Sequence, residues 1–375
     1  MAAGETLASR REFVRHGSLA ALAAGWASAA SPVDPAKVRN YSSAMRYRRL
    51  GNTDLYVSLI SMGGLVMVEP VYHYAIERGM NFIDTSPSYR GGLAIQQLGN
   101  VLKTKRDKVY VACKYHSYVR FEENLKDLKT DHVDFIVFNH HDRGSARADD
   151  DFEVYEKFRK AGKVRLAALM THGDVKEVTA TGIRKGLYRF IAPSLSQSGL
   201  EFLQAEIRAA YDKGIGMVAM KALREIADVR LQAAYVKQLA GNPAISSVLL
   251  SIGSYESFDT FRKALESPAT AAESQALHAH FVSRRASHCV MCDGCKRACP
   301  DGVEISTLLR CHDYYYRQKR DLETALAAYR GIPAGKVGSA ACRTCWKCEV
   351  ACPNGIQVVQ RIEVARETLA RLASA

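Results

Sequence analysis

Short apolar runs alternate with amphipathic stretches through the middle of the chain. Between these runs, residues 151–162 and 200–214 carry apolar side chains at helical spacing, and Gly162 and Gly214 end them as helix-stop residues. The apolar runs predict buried strands at 80–85, 108–115, 133–140, 164–172, 188–196, 215–223 and 246–253. Repetition of strand and helix about eight times predicts an α/β fold, a closed (β/α)8 TIM barrel.

An open, doubly wound sheet is the alternative for such a pattern. That fold is expected to carry a Gly-x-Gly-x-x-Gly turn after its first strand. The corresponding segment here is SMGGLVMVE, residues 61–69, which does not fit. The pattern therefore favours the barrel, which we expect over residues 44–280 after a polar linker at 31–43.

The composition is that of a globular protein with room for a second, smaller domain. The chain has 375 residues, of which 47% are hydrophobic and 24% charged. Its formal net charge is +13, but the basic residues are scattered and form no dense run. We therefore expect no nucleic-acid partner, whereas acidic partners and anionic lipid surfaces stay open.

The amino terminus has the three parts of an export signal. Arg10, Arg11 and Arg15 precede a short apolar run, and small residues follow up to Ala30. Ser9-Arg10-Arg11-x-Phe13 resembles the twin-arginine signal, which directs folded proteins across the membrane. The alternative is an arginine pair before an alanine-rich helix. We expect a signal peptide at 1–30, a periplasmic protein and no transmembrane segment after the signal is removed.

Eight of the ten cysteines fall in two runs of identical spacing. The runs are HCVMCDGCKRACP, residues 288–300, and ACRTCWKCEVACP, residues 341–353. Disulfide bonds do not require the same spacing in two runs. Zinc ribbons would use only pairs of thiols and would leave the third and fourth cysteine of each run unexplained. The spacing Cys-x-x-Cys-x-x-Cys-x-x-x-Cys-Pro is that of bacterial ferredoxins, in which the fourth cysteine binds the cluster of the other run.

This rule predicts two [4Fe–4S] clusters in a ferredoxin-like domain at 281–375. The insert between the runs is expected to be largely helical, with Cys311 a buried thiol rather than a ligand. Tyr314, Tyr315 and Tyr316 are candidates for packing this small domain on the barrel. The predicted ligand sets are Cys289, Cys292, Cys295 and Cys352 for one cluster, and Cys342, Cys345, Cys348 and Cys299 for the other.

Six barrel segments together resemble the aldo/keto reductase family, in its branch with a ferredoxin-like tail. The likeness runs from Met45 to Pro268. Its motifs are MRYRRLGNTDLYVSLISMGG, ERGMNFIDTSPSY, VYVACKY, LKTDHVDFIVFNHHD, AGKVRLAALMTHG and KGIGMVAMKAL.

The resemblance implies Tyr89 as proton donor, Lys114 as the neighbouring cation and Asp84 as the partner of Lys114. A phenol with its ordinary pKa of about 10 is a poor acid at pH 7, and a nearby ammonium lowers that pKa. The family's histidine position falls on Asn139. A strand bulge would bring His140 inward, whereas alternation would point His141 the same way as Asn139. We expect His140 in this role, with His141 and Asn139 as alternatives.

The resemblance also implies a possible NADP(H) site. Thr171 and His172 occupy the positions that touch the nicotinamide amide in this family, and Lys221 and Ser254 are candidates for the phosphates. The expected function is an exported iron–sulfur oxidoreductase that reduces or oxidises a small carbonyl or alcohol, with electrons passing through both clusters to a redox partner protein. The alternative is an electron-transfer module whose barrel is a docking scaffold without turnover.

Overall fold

The computed structural model describes residues 33–141, 150–316, 322–338 and 342–374. Eight parallel strands close into a barrel, which confirms the predicted fold class. A two-stranded antiparallel hairpin, β1 (Tyr47–Arg49) and β2 (Tyr56–Ser58), precedes it. The barrel strands are β3 (Ile60–Gly63), β4 (Phe82–Thr85), β5 (Tyr110–Lys114), β6 (Val133–His140), β7 (Val164–Thr171), β8 (Phe190–Pro193), β9 (Gly216–Ala219) and β10 (Ile245–Leu250).

Helices surround the barrel and connect its strands. The predicted helix at 200–214 divides at Leu203 into two shorter ones. The helices of this layer are α1 (Glu69–Glu77), α2 (Leu93–Lys105), α3 (Tyr118–Asp127), α4 (Asp150–Lys160), α5 (Val175–Lys185), α6 (Gln197–Phe202), α7 (Gln204–Asp212), α8 (Val229–Gly241), α9 (Tyr255–Ala264) and α10 (Ala271–Arg284).

The barrel interior is a packed aromatic core that is closed at one end. Phe82, Phe135 and Phe190 meet edge to face, with ring centroids 5.0–6.0 Å apart. The hairpin adds Leu50 and Leu55 to this cluster. Because the hairpin loop hydrogen-bonds to Gly214, just before β9 begins, it covers the amino ends of the strands. The carboxyl ends are left for a binding site, as in other barrels of this type.

The described part of the predicted linker packs on the barrel. Arg39 donates to the carbonyl of Val109 at 2.9 Å and to the Asp134 carboxylate at 3.2 Å. Asn40 donates to the carbonyl of Ile76 at 2.6 Å. Residues 33–43 are thus attached to the outside of the barrel, whereas the predicted signal peptide lies outside the described residues.

A helical segment with its own core follows the barrel, and α10 spans the predicted domain boundary. Leu308, Cys311, Ile362 and Leu369 belong to the third apolar cluster of the chain. Within the described ranges, no helix has the length and apolar character needed to cross a membrane. The helices here are α11 (Gly294–Ala298), α12 (Ile305–Tyr316), α13 (Leu322–Arg330), α14 (Cys342–Cys345), α15 (Lys347–Val350) and α16 (Val358–Ser374).

Asp134 joins the segment before the barrel to two strands, and its removal should destabilise the fold. Its buried carboxylate pairs with Arg39 and, at 3.0 Å, with Arg106, and it accepts from the backbone N–H of Val111 at 2.9 Å. Asp134→Ala leaves both cations and the N–H without this partner, so we expect a loss of about 3 kcal/mol in the free energy of unfolding. Asp107→Ala, at an exposed carboxylate, is the control. Equal urea midpoints for the two variants would contradict the assignment.

Candidate functional site

Strand alternation decides which side chains reach the carboxyl end of the barrel interior. In β4, Phe82 points inward and Ile83 outward, so Asp84 points inward again. The same period places Lys114 inward on β5 and Asn139 inward on β6. All three side chains line one cavity of about 1610 Å³ at the barrel mouth.

Asp84, Tyr89 and Lys114 meet in this cavity. The ammonium of Lys114 lies 3.5 Å from the Asp84 carboxylate and donates a short hydrogen bond to the hydroxyl of Tyr89. Tyr89 begins a short 3-10 turn after β4, and its hydroxyl donates to Asp84 at 3.2 Å. The structure therefore brings together the three residues that sequence reasoning singled out, and their catalytic roles stay predictions.

Burial shifts the pKa values of two side chains on the adjacent strands β4 and β5. It raises the pKa of Asp84, which is 1% exposed, and Lys114 and Tyr89 oppose this by stabilising the carboxylate. The thiol of Cys113, which points out of the barrel, is fully buried, and burial raises its pKa to about 12. Cys113 is thus an apolar packing residue next to the site rather than a nucleophile.

His140 lies outside the cavity. Its Nε2 is 2.7 Å from the carboxylate of Asp151, to which the Tyr188 hydroxyl also donates. The pairing of β6 with β7 continues without a register shift to His140, so no bulge turns this side chain inward. The expectation that His140 reaches the site is therefore not met by the geometry, and the two alternatives, Asn139 and His141, line the cavity instead.

His141 connects three elements at the mouth. Its Nδ1 lies 3.3 Å from a guanidinium nitrogen of Arg310, and its Nε2 lies 3.4 Å from the amide of Asn139. The rings of His141 and His172 stack at 5.5 Å. Both neighbouring atoms are nitrogen donors, and a neutral imidazole has one acceptor nitrogen, so His141 accepts a hydrogen bond from Arg310 or from Asn139 but not from both.

Two of the four residues predicted to bind the cofactor line the cavity, and the other two do not. His172 and Lys221 line the cavity. Thr171 points outward from the barrel, and its hydroxyl donates to the Gly173 carbonyl at 2.8 Å. Ser254 caps α9 by accepting from the backbone N–H of Ser257 at 3.1 Å, and it is Ser257 that lines the cavity.

Helices α12 and α13 cover part of the barrel mouth. The hydroxyl of Tyr314 lies 3.2 Å from the ammonium of Lys221. Arg224 binds the Asp313 carboxylate at 3.3 Å and also donates to the carbonyl of Cys289. Sequence reasoning expected Tyr314 to pack between the two parts of the chain, but it missed Arg310. The available signal was their spacing of four, which puts both on one helix face.

The two cysteine runs share part of their local geometry. Asp293 and Trp346, each following the second cysteine of its run, both have positive φ, near 57° and 54°. The fourth cysteine of each run accepts a backbone N–H four residues later, from Val303 and from Ile356, at 3.4 Å in both runs. The runs differ between their first two cysteines, where Cys342–Cys345 is helical and residues 289–292 are not.

The thiols of the first predicted ligand set line one small cavity, of about 20 Å³. Burial raises the pKa of Cys289 to about 12 and also raises that of Cys292, and neighbouring thiols add to both effects. Among the described residues, no three Cys, His, Asp or Glu side chains are grouped to hold a single metal ion. The members of this set are Cys289, Cys292, Cys295 and Cys352.

Part of the chain is similar to known oxidoreductases. The sequence model of the aldo/keto reductase family matches residues 67–226. A curated relative, an uncharacterized oxidoreductase YqkF of Bacillus subtilis (strain 168), is 24% identical over 145 residues, which is 32% of this chain and 47% of the relative. The chain thus spans about half the length of that relative.

A solved structure shares the barrel fold. The aldo-keto reductase AKR11C1 from Bacillus halodurans, in its holo form, superimposes with a TM-score of 0.55 over 63% of this chain and 96% of its own. The two sequences are 17% identical, so this likeness bears on the fold.

His172 should make the protein less stable in acid. Burial lowers the pKa of this imidazole well below 6.5, and the nearby cations of Lys221 and Lys114 lower it further. Below about pH 6.5 the unfolded chain binds a proton that the folded protein does not, so stability falls with pH by up to about 1.4 kcal/mol per unit. In urea titrations from pH 7 to 5.5, His172→Gln should lose less stability than the parent. His278→Gln, at an exposed histidine, should follow the parent; identical slopes for all three proteins would refute the assignment.

Proposed function

We propose that this chain, whose barrel is of the aldo/keto reductase type, is an exported iron–sulfur oxidoreductase that interconverts a carbonyl and an alcohol. The family match and the barrel fold support oxidoreductase chemistry of this type. The observation that carries the proposal is the contact of the Lys114 ammonium with the Tyr89 hydroxyl beside the buried Asp84.

Tyr89 is the proposed proton donor to the carbonyl oxygen. The ammonium of Lys114 stabilises the phenolate that remains after the proton leaves, and Asp84 holds that ammonium in place. A carbonyl oxygen next to the Tyr89 hydroxyl needs a second donor that fixes its orientation. The imidazole of His141 and the amide of Asn139 line the cavity wall and can supply such a donor, so we assign this role to them in place of His140.

The cavity fits a nicotinamide dinucleotide together with a substrate. Its volume of about 1610 Å³ exceeds the several hundred Å³ typical of a single small ligand. His172 is 7% exposed, and its Nδ1 has no hydrogen-bond partner among the described residues, as suits a group that meets a ligand amide. Lys221 and Ser257 would face the phosphates. NADP(H), when bound, would supply or accept the hydride.

The cysteine runs supply thiol groups, the usual protein ligands of [4Fe–4S] clusters, in the number that two clusters need. Four thiols converge at one cavity, and backbone N–H groups point at sulfur, as at Cys289 and Cys352. Clusters, when bound, would pass single electrons to a partner protein.

Two consecutive residues line the two cavities. His288 lines the large cavity, and Cys289 lines the thiol cavity. Arg224, another residue of the large cavity, donates to the carbonyl of Cys289. This adjacency supports electron exchange between the barrel site and the first cluster.

Export is the remaining part of the proposal. It rests on Arg10, Arg11 and the apolar run before Ala30, which lie outside the described residues. Cluster assembly in the cytoplasm followed by export of the folded protein through the twin-arginine route would explain why one chain carries both features, and would place the protein in the periplasm.

Tyr89→Phe should abolish most carbonyl reduction. The variant keeps the ring but lacks the proton, so kcat with NADPH and an aldehyde panel should fall about 10²–10⁴-fold. Tyr255→Phe, at an exposed ring, is the matched control and should keep the parent's rate. A Tyr89→Phe variant as active as the parent would exclude this mechanism, and a parent without turnover would favour the electron-transfer module.

Anaerobic iron and sulfide counts should reveal the ligation across the two runs. We expect about eight irons per chain. The double variant Cys289→Ala/Cys352→Ala should lose one cluster and keep about four irons, because both thiols serve the same cluster. The double variant Cys289→Ala/Cys299→Ala should lose both clusters.

Cys311→Ala is the control for the iron counts, since this buried thiol lies outside both ligand sets. Its count should equal that of the parent. If each run bound its own cluster, the outcomes of the two double variants would be exchanged. A parent with no iron or sulfide would exclude the clusters.

A further inference from the structure

Helix α12 presents two polar side chains to the barrel mouth. Arg310 and Tyr314 are four residues apart, so they lie on the same face of the helix. Arg310 reaches His141 at the end of β6, and Tyr314 reaches Lys221 after β9. The barrel cavity is therefore partly walled by a helix that lies beyond the family-matched segment, 67–226.

Several basic side chains line this wall, and two of them have carboxylate partners. Lys114 is paired with Asp84, and Arg224 is paired with Asp313 and Glu225. Within the described ranges, Lys221 and Arg310 have no carboxylate at ion-pair distance, and their polar contacts are the Tyr314 hydroxyl and the His141 imidazole. Two basic side chains thus line the cavity with donors left for an anionic ligand.

We propose that Arg310 binds the carboxylate of the substrate, and that the site takes 2-oxo acids or the matching 2-hydroxy acids. This inference rests on the proposed function. One imidazole, that of His141, separates the guanidinium of Arg310 from the Asn139 amide at the proposed carbonyl site. A substrate that reaches both groups carries its carboxylate within a few bonds of the carbonyl. A guanidinium also binds a carboxylate through two parallel hydrogen bonds, which fixes the orientation of the substrate.

The reaction balances with the cofactor already proposed. A bound reduced dinucleotide would supply hydride to the carbonyl carbon of the 2-oxo acid, and the Tyr89 hydroxyl would give its proton to the carbonyl oxygen. The products are the 2-hydroxy acid and the oxidised dinucleotide, and solvent returns the proton to Tyr89. The carboxylate is unchanged throughout, so Arg310 contributes binding and orientation.

Benzoylformate and its methyl ester test the proposal, because they share the ketone and the ring but differ in charge. The parent should prefer the acid. Arg310→Gln should lower kcat/KM for the acid by about 10–100-fold, the usual loss of a hydrogen bond to a charged group, and that for the ester by less than about threefold. Arg310→Lys should fall between these values. Arg371→Gln, at an exposed residue outside the cavity, should match the parent.

Other roles for Arg310 give different results. If it bound a dinucleotide phosphate, Arg310→Gln would weaken NADPH binding measured by fluorescence and would slow both substrates equally. If it acted only by positioning His141, kcat would fall equally for acid and ester. Either result overturns the proposal.

Calorimetric titration of benzoylformate separates this inference from the proposed function. Binding that depends on Arg310 without any turnover would support the anion site while the proposed reductase function fails. Turnover of acid and ester with equal kcat/KM, unchanged in Arg310→Gln, would leave the function standing and refute the carboxylate site.

Discussion

The two-residue period of a closed parallel barrel is the constraint on which this molecule depends. Each strand sends alternate side chains into a shared interior, and the amino end of that interior is filled by aromatic rings and closed by the hairpin. The remaining inward positions are those at the carboxyl ends. Asp84 and Lys114 occupy two of them on adjacent strands, so a buried ion pair forms where a ligand can reach it.

The sequence predicted the features that depend on a local repeat of apolar residues or on a single motif. The run at 133–140 coincides with β6, and the group formed by Asp84, Tyr89 and Lys114 follows from segments at strand ends. His140 shows the limit of such reasoning, since its position depended on a bulge that only the backbone pairing could reveal. Simple alternation, applied without a bulge, points to His141. Arg310 was missed for another reason: its spacing of four from Tyr314 predicts a shared helix face, but a sequence does not state which face of a distant helix meets the barrel.

The cysteine runs show the opposite case, in which repetition within the sequence carries long-range information. Cys352 lies far along the chain from Cys289, yet both line one cavity with Cys292 and Cys295. The loops share the positive φ that follows each second cysteine, although the second run begins with a helical turn that the first run lacks. The repeated spacing therefore predicted which four thiols line this cavity, whereas single residues such as Ser254 could not be placed from their chemistry alone.

The helical segment contacts both the barrel cavity and the cysteine loops, the two places where the sequence suggests redox chemistry. Hydride transfer moves two electrons together, whereas an iron–sulfur cluster accepts one, so a chain with both needs its sites close and its substrate held while electrons are exchanged. Arg224 bridges the sites by contacting Asp313 on α12 and the Cys289 carbonyl. Helix α12 packs on α16 within the third apolar core, which also includes Cys295. The third apolar core thus connects Cys295 with the helix that carries Arg310 and Tyr314.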